Sequence, residues 1–197
     1  MRKFLPWIIA GGLLLIIGFW YISIKNGAVR VNQEVNKEWG NVETSYQRRN
    51  DLIGNLVKTV QGSADFEKST LEAVIKARSE ATSVKIDPTN MTPEQLTQFN
   101  QAQGNLNSSL SRLLVTVEQY PDLKANQNFA QLQTELTDTE NKIQAARRFY
   151  NGNVRDLKIA LQQFPSNIVG NMFNFKEEQY FELAEGSVEK EVVKVAF

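Results

Sequence analysis

The chain has 197 residues, with 22 basic and 22 acidic side chains, and it contains no histidine and no cysteine. These absences exclude a Ser-His pair, a thiolate nucleophile, a typical zinc site and a disulfide framework. Residues 1–30 hold four basic and no acidic residues, so the remaining 167 residues carry a net charge of −4. That balance argues against a nucleic-acid partner, which requires a basic face.

Residues 4–24 form a run of 21 residues without a charge, flanked by Arg2, Lys3, Lys25 and Arg30. A run of this length can cross a bilayer as a helix. A cleaved signal peptide would have a shorter apolar core and a small-x-small cleavage site, which Asn26-Gly27-Ala28 does not provide. We therefore predict an uncleaved anchor that contacts the lipid bilayer through residues 4–24. The basic residues at its two ends are balanced and leave the side of the soluble domain undecided.

Three stretches after the anchor have apolar residues at alternating steps of three and four, which predicts long amphipathic helices. The first stretch extends over residues 35–81 if it is continuous, with weak points at Gly54 and Gly62. The second begins at a predicted capping box, Thr92 with Gln95, and ends before Pro121. The third extends over residues 129–164 and ends at Pro165.

The end of the chain lacks a clean period. Residues 167–175 are compatible with a helical turn or two, and residues 177–197 with a segment laid against the bundle, a small hairpin or a partner-binding tail. We predict an all-α fold: a single N-terminal transmembrane helix, then an antiparallel bundle of three to four long helices with the C-terminal tail packed on it. The predicted divisions are the anchor and its flank (1–30), the bundle (31–165), and a short helix and tail (166–197).

Two polar clusters interrupt the apolar stripes and are the candidate functional residues. Arg49 stands at a position where the stripe predicts an apolar residue, so it needs an acidic partner such as Asp156 or another carboxylate. The clusters either set the helix register, as polar seam residues do in coiled coils, or bind a carboxylate or phosphate ligand. The candidate residues are Arg48, Arg49, Asp51, Asn55, Arg147, Arg148, Tyr150 and Asn151. Glu135, Asp138 and Glu140 are interpreted as a solvated acidic face rather than as catalytic carboxylates.

The same clusters resemble the signature of the LemA family. The resemblance rests on Trp39 and on five separated motifs in order, at residues 48–57, 72–78, 120–125, 147–151 and 164–167, and on Phe173-Asn174-Phe175. It implies a bacterial protein with an N-terminal anchor, a bundle of long helices, a short outer N-terminus and a cytoplasmic bulk. The chain departs from the family pattern at Gly54, where the family usually has proline, and at Phe66, where it has histidine. It departs again at Leu157-Lys158, where the family has Tyr-Asn. The missing histidine either rules out a universal catalytic role for that position or means that this member of the family has lost it.

We expect a non-enzymatic scaffold or adaptor without a cofactor or a metal. It would reside in the bacterial cell membrane, which is the inner membrane in a Gram-negative organism. Its partner would be a membrane protein or a second copy of the chain. The alternative is a binding protein or sensor for a small anionic ligand or a lipid headgroup, which would use the paired arginines. An enzyme that relies on carboxylates alone is the least favoured hypothesis.

Overall fold

The computed structural model describes residues 5–62, 66–164, 166–168 and 179–181. All regular secondary structure within these residues is helical, which confirms the predicted all-α class. In chain order the elements are α1 (Leu5–Gln61), α2 (Lys68–Ser83), a 3₁₀ turn (Pro88–Asn90), α3 (Pro93–Val117), α4 (Pro121–Lys124) and α5 (Gln127–Gln162). The short helix and the hairpin considered for the tail lie outside the described residues, except at 167–168 and 179–181.

Helix α1 is a single helix of 57 residues, about 86 Å long at 1.5 Å per residue. Its N-terminal part is long and apolar enough to cross a membrane, and none of its most apolar window is buried by the part of the chain that the structure describes. The C-terminal part enters the bundle through a seam whose spacing alternates between four and three residues, as predicted. The buried seam positions are Val35, Trp39, Val42, Tyr46, Arg49, Ile53, Leu56 and Val60.

The first apolar stretch is broken, and the break falls at the second of its two predicted weak points. Helix α1 ends at Gln61, next to Gly62, and α2 returns antiparallel along α1. Gly54 leaves room for the side chain of Arg78 on α2, because a Cβ atom there would lie 3.0 Å from the Arg78 guanidinium. The Nε of Arg78 donates a hydrogen bond to the carbonyl of Asn50 at 2.7 Å, which fixes the pairing of α1 with α2.

Helix α3 begins at the predicted capping box, and α5 begins at a capping residue that the sequence analysis did not identify. The Thr92 hydroxyl accepts from the Gln95 amide at 3.2 Å, and the Gln95 side chain accepts from the Thr92 amide at 3.0 Å. Asn126 caps α5 by accepting from the amides of Asn128 and Phe129. Pro121 follows the end of α3 and also begins α4, a short helix that turns the chain back toward α1.

Two apolar cores lie one above the other along the bundle. The proximal core, nearer the apolar end of α1, is rich in aromatic rings and includes Trp39, Phe99 and Tyr150. The distal core is mostly aliphatic and is built by α1, α2, α3 and α5, with Leu56 and Leu106 among its fully buried side chains. Helix α5 packs mainly along α1, whereas α2 packs mainly against α3.

Candidate functional site

Arg49 is the predicted polar interruption of the seam, and it is only 5% exposed. Its Nη1 lies 3.2 Å from a carboxylate oxygen of Glu140 on α5, and its Nη2 donates to the side-chain oxygen of Gln103 on α3. The acidic partner is therefore Glu140 and not Asp156, which is exposed and pairs with Arg155. One side chain thus connects three helices through charge-assisted hydrogen bonds.

A polar layer around Arg49 separates the two cores. Among the described residues, the buried polar side chains are Arg49, Asn50, Gln103 and Thr139. Gln103 also donates to the carbonyl of Ala81 at 3.4 Å, so α2 is joined to the same layer. Polar groups buried in an otherwise apolar seam favour the one alignment in which their partners meet. The geometry of Arg49 therefore fits a register-setting role.

The other candidates on α1 face outward. Arg48 forms an ion pair with Glu135 at 2.7 Å, and both side chains are partly or largely exposed. Asp51 is exposed and accepts a hydrogen bond from Gln47 at 3.1 Å, and Asn55 is exposed. Glu135 and Glu140, which the sequence suggested were solvated, are thus half-exposed partners of Arg48 and Arg49.

The second candidate cluster, on α5, holds a piece of the C-terminal tail. The Asn151 amide donates to the carbonyl of Phe181 at 3.0 Å, and its oxygen accepts from the Phe181 amide at 2.8 Å. The hydroxyl of Tyr150 donates to the carbonyl of Gln179 at 3.1 Å. We call these three contacts the tail latch. They hold the backbone of residues 179–181 against α5, so this described piece of the tail packs on the bundle.

Phe181 fills a space inside the proximal core, and the periodicity of the chain did not reveal it. Its ring stacks on Trp39, with centroids 5.5 Å apart and an interplanar angle of 10°. It meets Tyr150 edge to face at 5.4 Å and Phe99 at 6.3 Å. The tail has no helical period that marks one residue as buried. One sequence feature pointed indirectly to a buried ring at this place. The apolar stripes of three different helices carry aromatic residues at positions 39, 99 and 150, and Phe181 contacts all three.

Arg147 and Arg49 meet at Tyr46, which links the two clusters. The Arg49 guanidinium lies 5.0 Å from the centre of the Tyr46 ring, and Arg147 forms a side-chain hydrogen bond with Tyr46. Arg147 also lies 4.8 Å from the centre of the Phe181 ring. Burial raises the pKa of Tyr46 above its ordinary value, and this effect outweighs the opposing influence of the two arginines. Arg148 is exposed and does not join this group.

A cleft of about 120 Å³ opens beside the polar layer, between α1 and the connection from α2 to α3. Asn50, Tyr46 and Gln103 line it, and the buried Oδ1 of Asn50 accepts no hydrogen bond from the described residues. Its volume is that of a few water molecules and is well below the ~300–1,000 Å³ of typical small-molecule sites. The acidic residues within the described ranges form no cluster that could hold a metal ion.

These features define a class: a helical bundle continuous with an N-terminal helix that is able to cross a membrane. The sequence model of the LemA family matches residues 38–197, so this chain belongs to the LemA family. The match begins next to Trp39 and includes both polar clusters and the tail residues that the latch holds.

Relatives of the chain carry two kinds of name. It is 27% identical over 174 residues to Magnetosome protein MamQ 2 of Paramagnetospirillum magneticum, which covers 80% of this chain and 64% of the relative. It is 27% identical over 173 residues to Magnetosome protein MamQ of Magnetospirillum gryphiswaldense, covering 79% and 64%. It is 27% identical over 175 residues to Protein LemA of Metamycoplasma hominis, covering 87% and 76%. The chain therefore spans a little under two thirds of the magnetosome relatives it matches.

Proposed function

We propose that this protein is a non-enzymatic scaffold or adaptor, anchored in the bacterial cell membrane by one pass of α1. The observation that carries the proposal is the continuity of α1, which extends from the apolar segment into the bundle without an interruption. A continuous helix transmits position and orientation, whereas a flexible linker would not. The bundle would thus hold a protein partner, or a second copy, at a defined height above the bilayer.

A surface on α5 supports this proposal. Phe149 is 65% exposed, and its neighbour Arg148 is also exposed. Aromatic residues and arginine are the types that dominate binding energy at protein interfaces. Phe149 and Arg148 follow one another on the outer side of the helix whose inner side carries the tail latch. We therefore assign the partner contact to this pair.

The proposal is tested by purifying the full-length protein from its native membrane in a mild detergent, with crosslinking and mass spectrometry. We expect a stoichiometric partner, or a second copy, whose crosslinks map near Phe149. Phe149→Ser should abolish those crosslinks. Val115→Ser is the matched control, because Val115 is an equally exposed apolar residue on α3. If Phe149→Ser leaves the crosslinks unchanged, the partner does not bind at Phe149 and Arg148. Recovery of a single chain without crosslinks would contradict the adaptor proposal.

The alternative, an anion sensor that uses the paired arginines, has weaker support. Arg49 is already paired with Glu140 and Arg48 with Glu135, so binding an anion there would require breaking existing ion pairs. A thermal-shift screen of the full chain in detergent, against phosphates and anionic lipids, tests it. A ligand that raises the unfolding temperature of the protein, but not that of Arg48→Ala, would support the alternative. An unfolding temperature that no ligand changes would count against it.

A further inference from the structure

The C-terminal end of α5 returns to the level at which the apolar run of α1 ends. The two helices are antiparallel, and between them lies a cleft of about 300 Å³. Ser23, Ile24 and Arg30 line the cleft from α1, and Leu161 and Ser166 line it from the other side. Because Ile24 is the last residue of the uncharged run, residues just after α5 lie at the boundary between the predicted span and water.

Large apolar side chains are exposed at this same end of the bundle. Phe164 is 82% exposed and Ile168 is 54% exposed, and Ile159 on the last turns of α5 is exposed as well. The amide of Asn167 donates to the carbonyl of Gln163 at 2.9 Å, which ties the residues after α5 to the end of that helix. Single exposed apolar residues are common, but a group of them beside a membrane-spanning segment indicates an interaction surface.

Among the residues that the structure describes on the two sides of this cleft, the charged side chains are basic. Residues 5–33 contain Lys25 and Arg30 and no acidic residue, and the described residues 157–164 and 166–168 contain Lys158 and no acidic residue. Basic side chains next to exposed apolar ones are the combination that binds the interface of anionic membranes. We favour a bilayer over a protein as the partner of this surface, because the predicted span already places a bilayer beside it.

We propose that the turn carrying Phe164 and Ile168 is a second membrane contact, in which both side chains enter the boundary between lipid headgroups and acyl chains. Lys25 and Arg30 face the headgroups of the same leaflet. The bundle is then attached at two points, by α1 and by this turn, which fixes its tilt and its rotation about α1. The inference rests on the membrane anchoring in the proposed function, and it adds a named lipid-facing surface.

The absence of cysteine permits a direct test with single-cysteine variants of the full chain. Phe164→Cys carries an environment-sensitive fluorophore in vesicles of phosphatidylcholine and phosphatidylglycerol, some of which contain lipids with a nitroxide quencher near the headgroup. Trp20→Cys, within the predicted span, reports on the anchor. Val115→Cys is the control, since Val115 is 69% exposed and lies beside the distal core. We expect quenching at position 164 to exceed that at position 115 several-fold.

The outcomes separate the two proposals. Quenching at positions 20 and 164, but not at 115, supports the second contact, and the same result with Ile168→Cys extends it to the whole turn. Quenching at position 20 with position 164 as unquenched as 115 overturns the second contact and leaves the anchor standing. An absence of quenching at position 20 overturns the anchor, and the second contact with it.

Discussion

Arg49 is a single residue whose burial has to be explained by its partners. A buried guanidinium is tolerated because Glu140 neutralises its charge and Gln103 accepts a further hydrogen bond. Its neighbour Arg48 makes a shorter ion pair with Glu135, but at the surface. Two adjacent arginines in one motif therefore have different energetic roles, and only the buried one ties three helices together.

We expect Arg49→Ala to lower the free energy of unfolding by about 2–4 kcal/mol, because it leaves a cavity and removes a buried, charge-assisted contact. Arg48→Ala, the matched control, should cost less than about 1 kcal/mol, since exposed ion pairs contribute little. Urea denaturation of the full chain in detergent, followed by circular dichroism, measures both values. Equal small losses would show that Arg49 is dispensable for the fold.

Tyr46 makes stability depend on alkaline pH. Burial raises its folded-state pKa above the ordinary tyrosine value of 10.0, so the unfolded chain loses this proton first as the pH rises. The stability that the neutral phenol contributes is complete below pH 10 and is lost as the pH rises through the folded-state pKa. We expect Tyr46→Phe to flatten the fall in thermal unfolding midpoint above this pH. A fall as steep as in the unaltered protein would contradict the assignment.

At the scale of elements, local rules predicted much of the architecture. The alternating spacing identified the buried side of α1, and the capping box at Thr92 gave the start of α3. The break between α1 and α2 fell at Gly62, where glycine weakens a helix. What the sequence could not provide was the alignment between helices: Glu140 meets Arg49 because of tertiary register, and periodicity within one helix does not contain that information.

A single substitution on α5 tests whether the tail latch holds residues 179–181. Asn151→Ala removes both hydrogen bonds to the Phe181 backbone, about 1–2 kcal/mol in total. We expect cleavage by chymotrypsin at Tyr180 and Phe181 to accelerate roughly 5- to 30-fold, while the helical content stays unchanged.

Asn153→Ala is the control for this experiment. Among the residues that the structure describes, the side chain of Asn153 donates only within its own helix, to the carbonyl of Phe149 at 3.0 Å. We expect this variant to be cleaved at the original rate. Equal cleavage rates in the two variants would mean that the latch does not hold the tail.

At the scale of the whole molecule, the proposed anchor would make α1 set the distance between the bilayer and the far end of the bundle. From Ile24 to the exposed Lys58 the helix rises by about 51 Å at 1.5 Å per residue. A tilt of the average ~20° would lower this height only slightly. A partner held by the bundle would therefore meet the protein at a height that α1 determines.

A fluorophore at Lys58→Cys, with acceptor lipids in the bilayer, measures this height in vesicles. We expect the additional change Gln33→Pro to shorten and broaden the distance, because proline kinks a helix interior. Gln33→Ala, at the same exposed position, should leave the distance unaltered. A distance insensitive to proline would show that α1 does not act as a rigid support.

The polar layer at Arg49 also bears on how the bundle unfolds. It contributes little apolar burial between the two cores, so we expect the two ends of the bundle to open as separate cooperative units. Opening of the distal unit would expose the buried leucines of α1 and α3, such as Leu56 and Leu106, to water. The proximal unit, in which Phe181 closes the aromatic core, would meanwhile stay folded. Proteases would then reach the opened distal unit, far from the proposed bilayer, while the proximal unit stays folded beside the anchor.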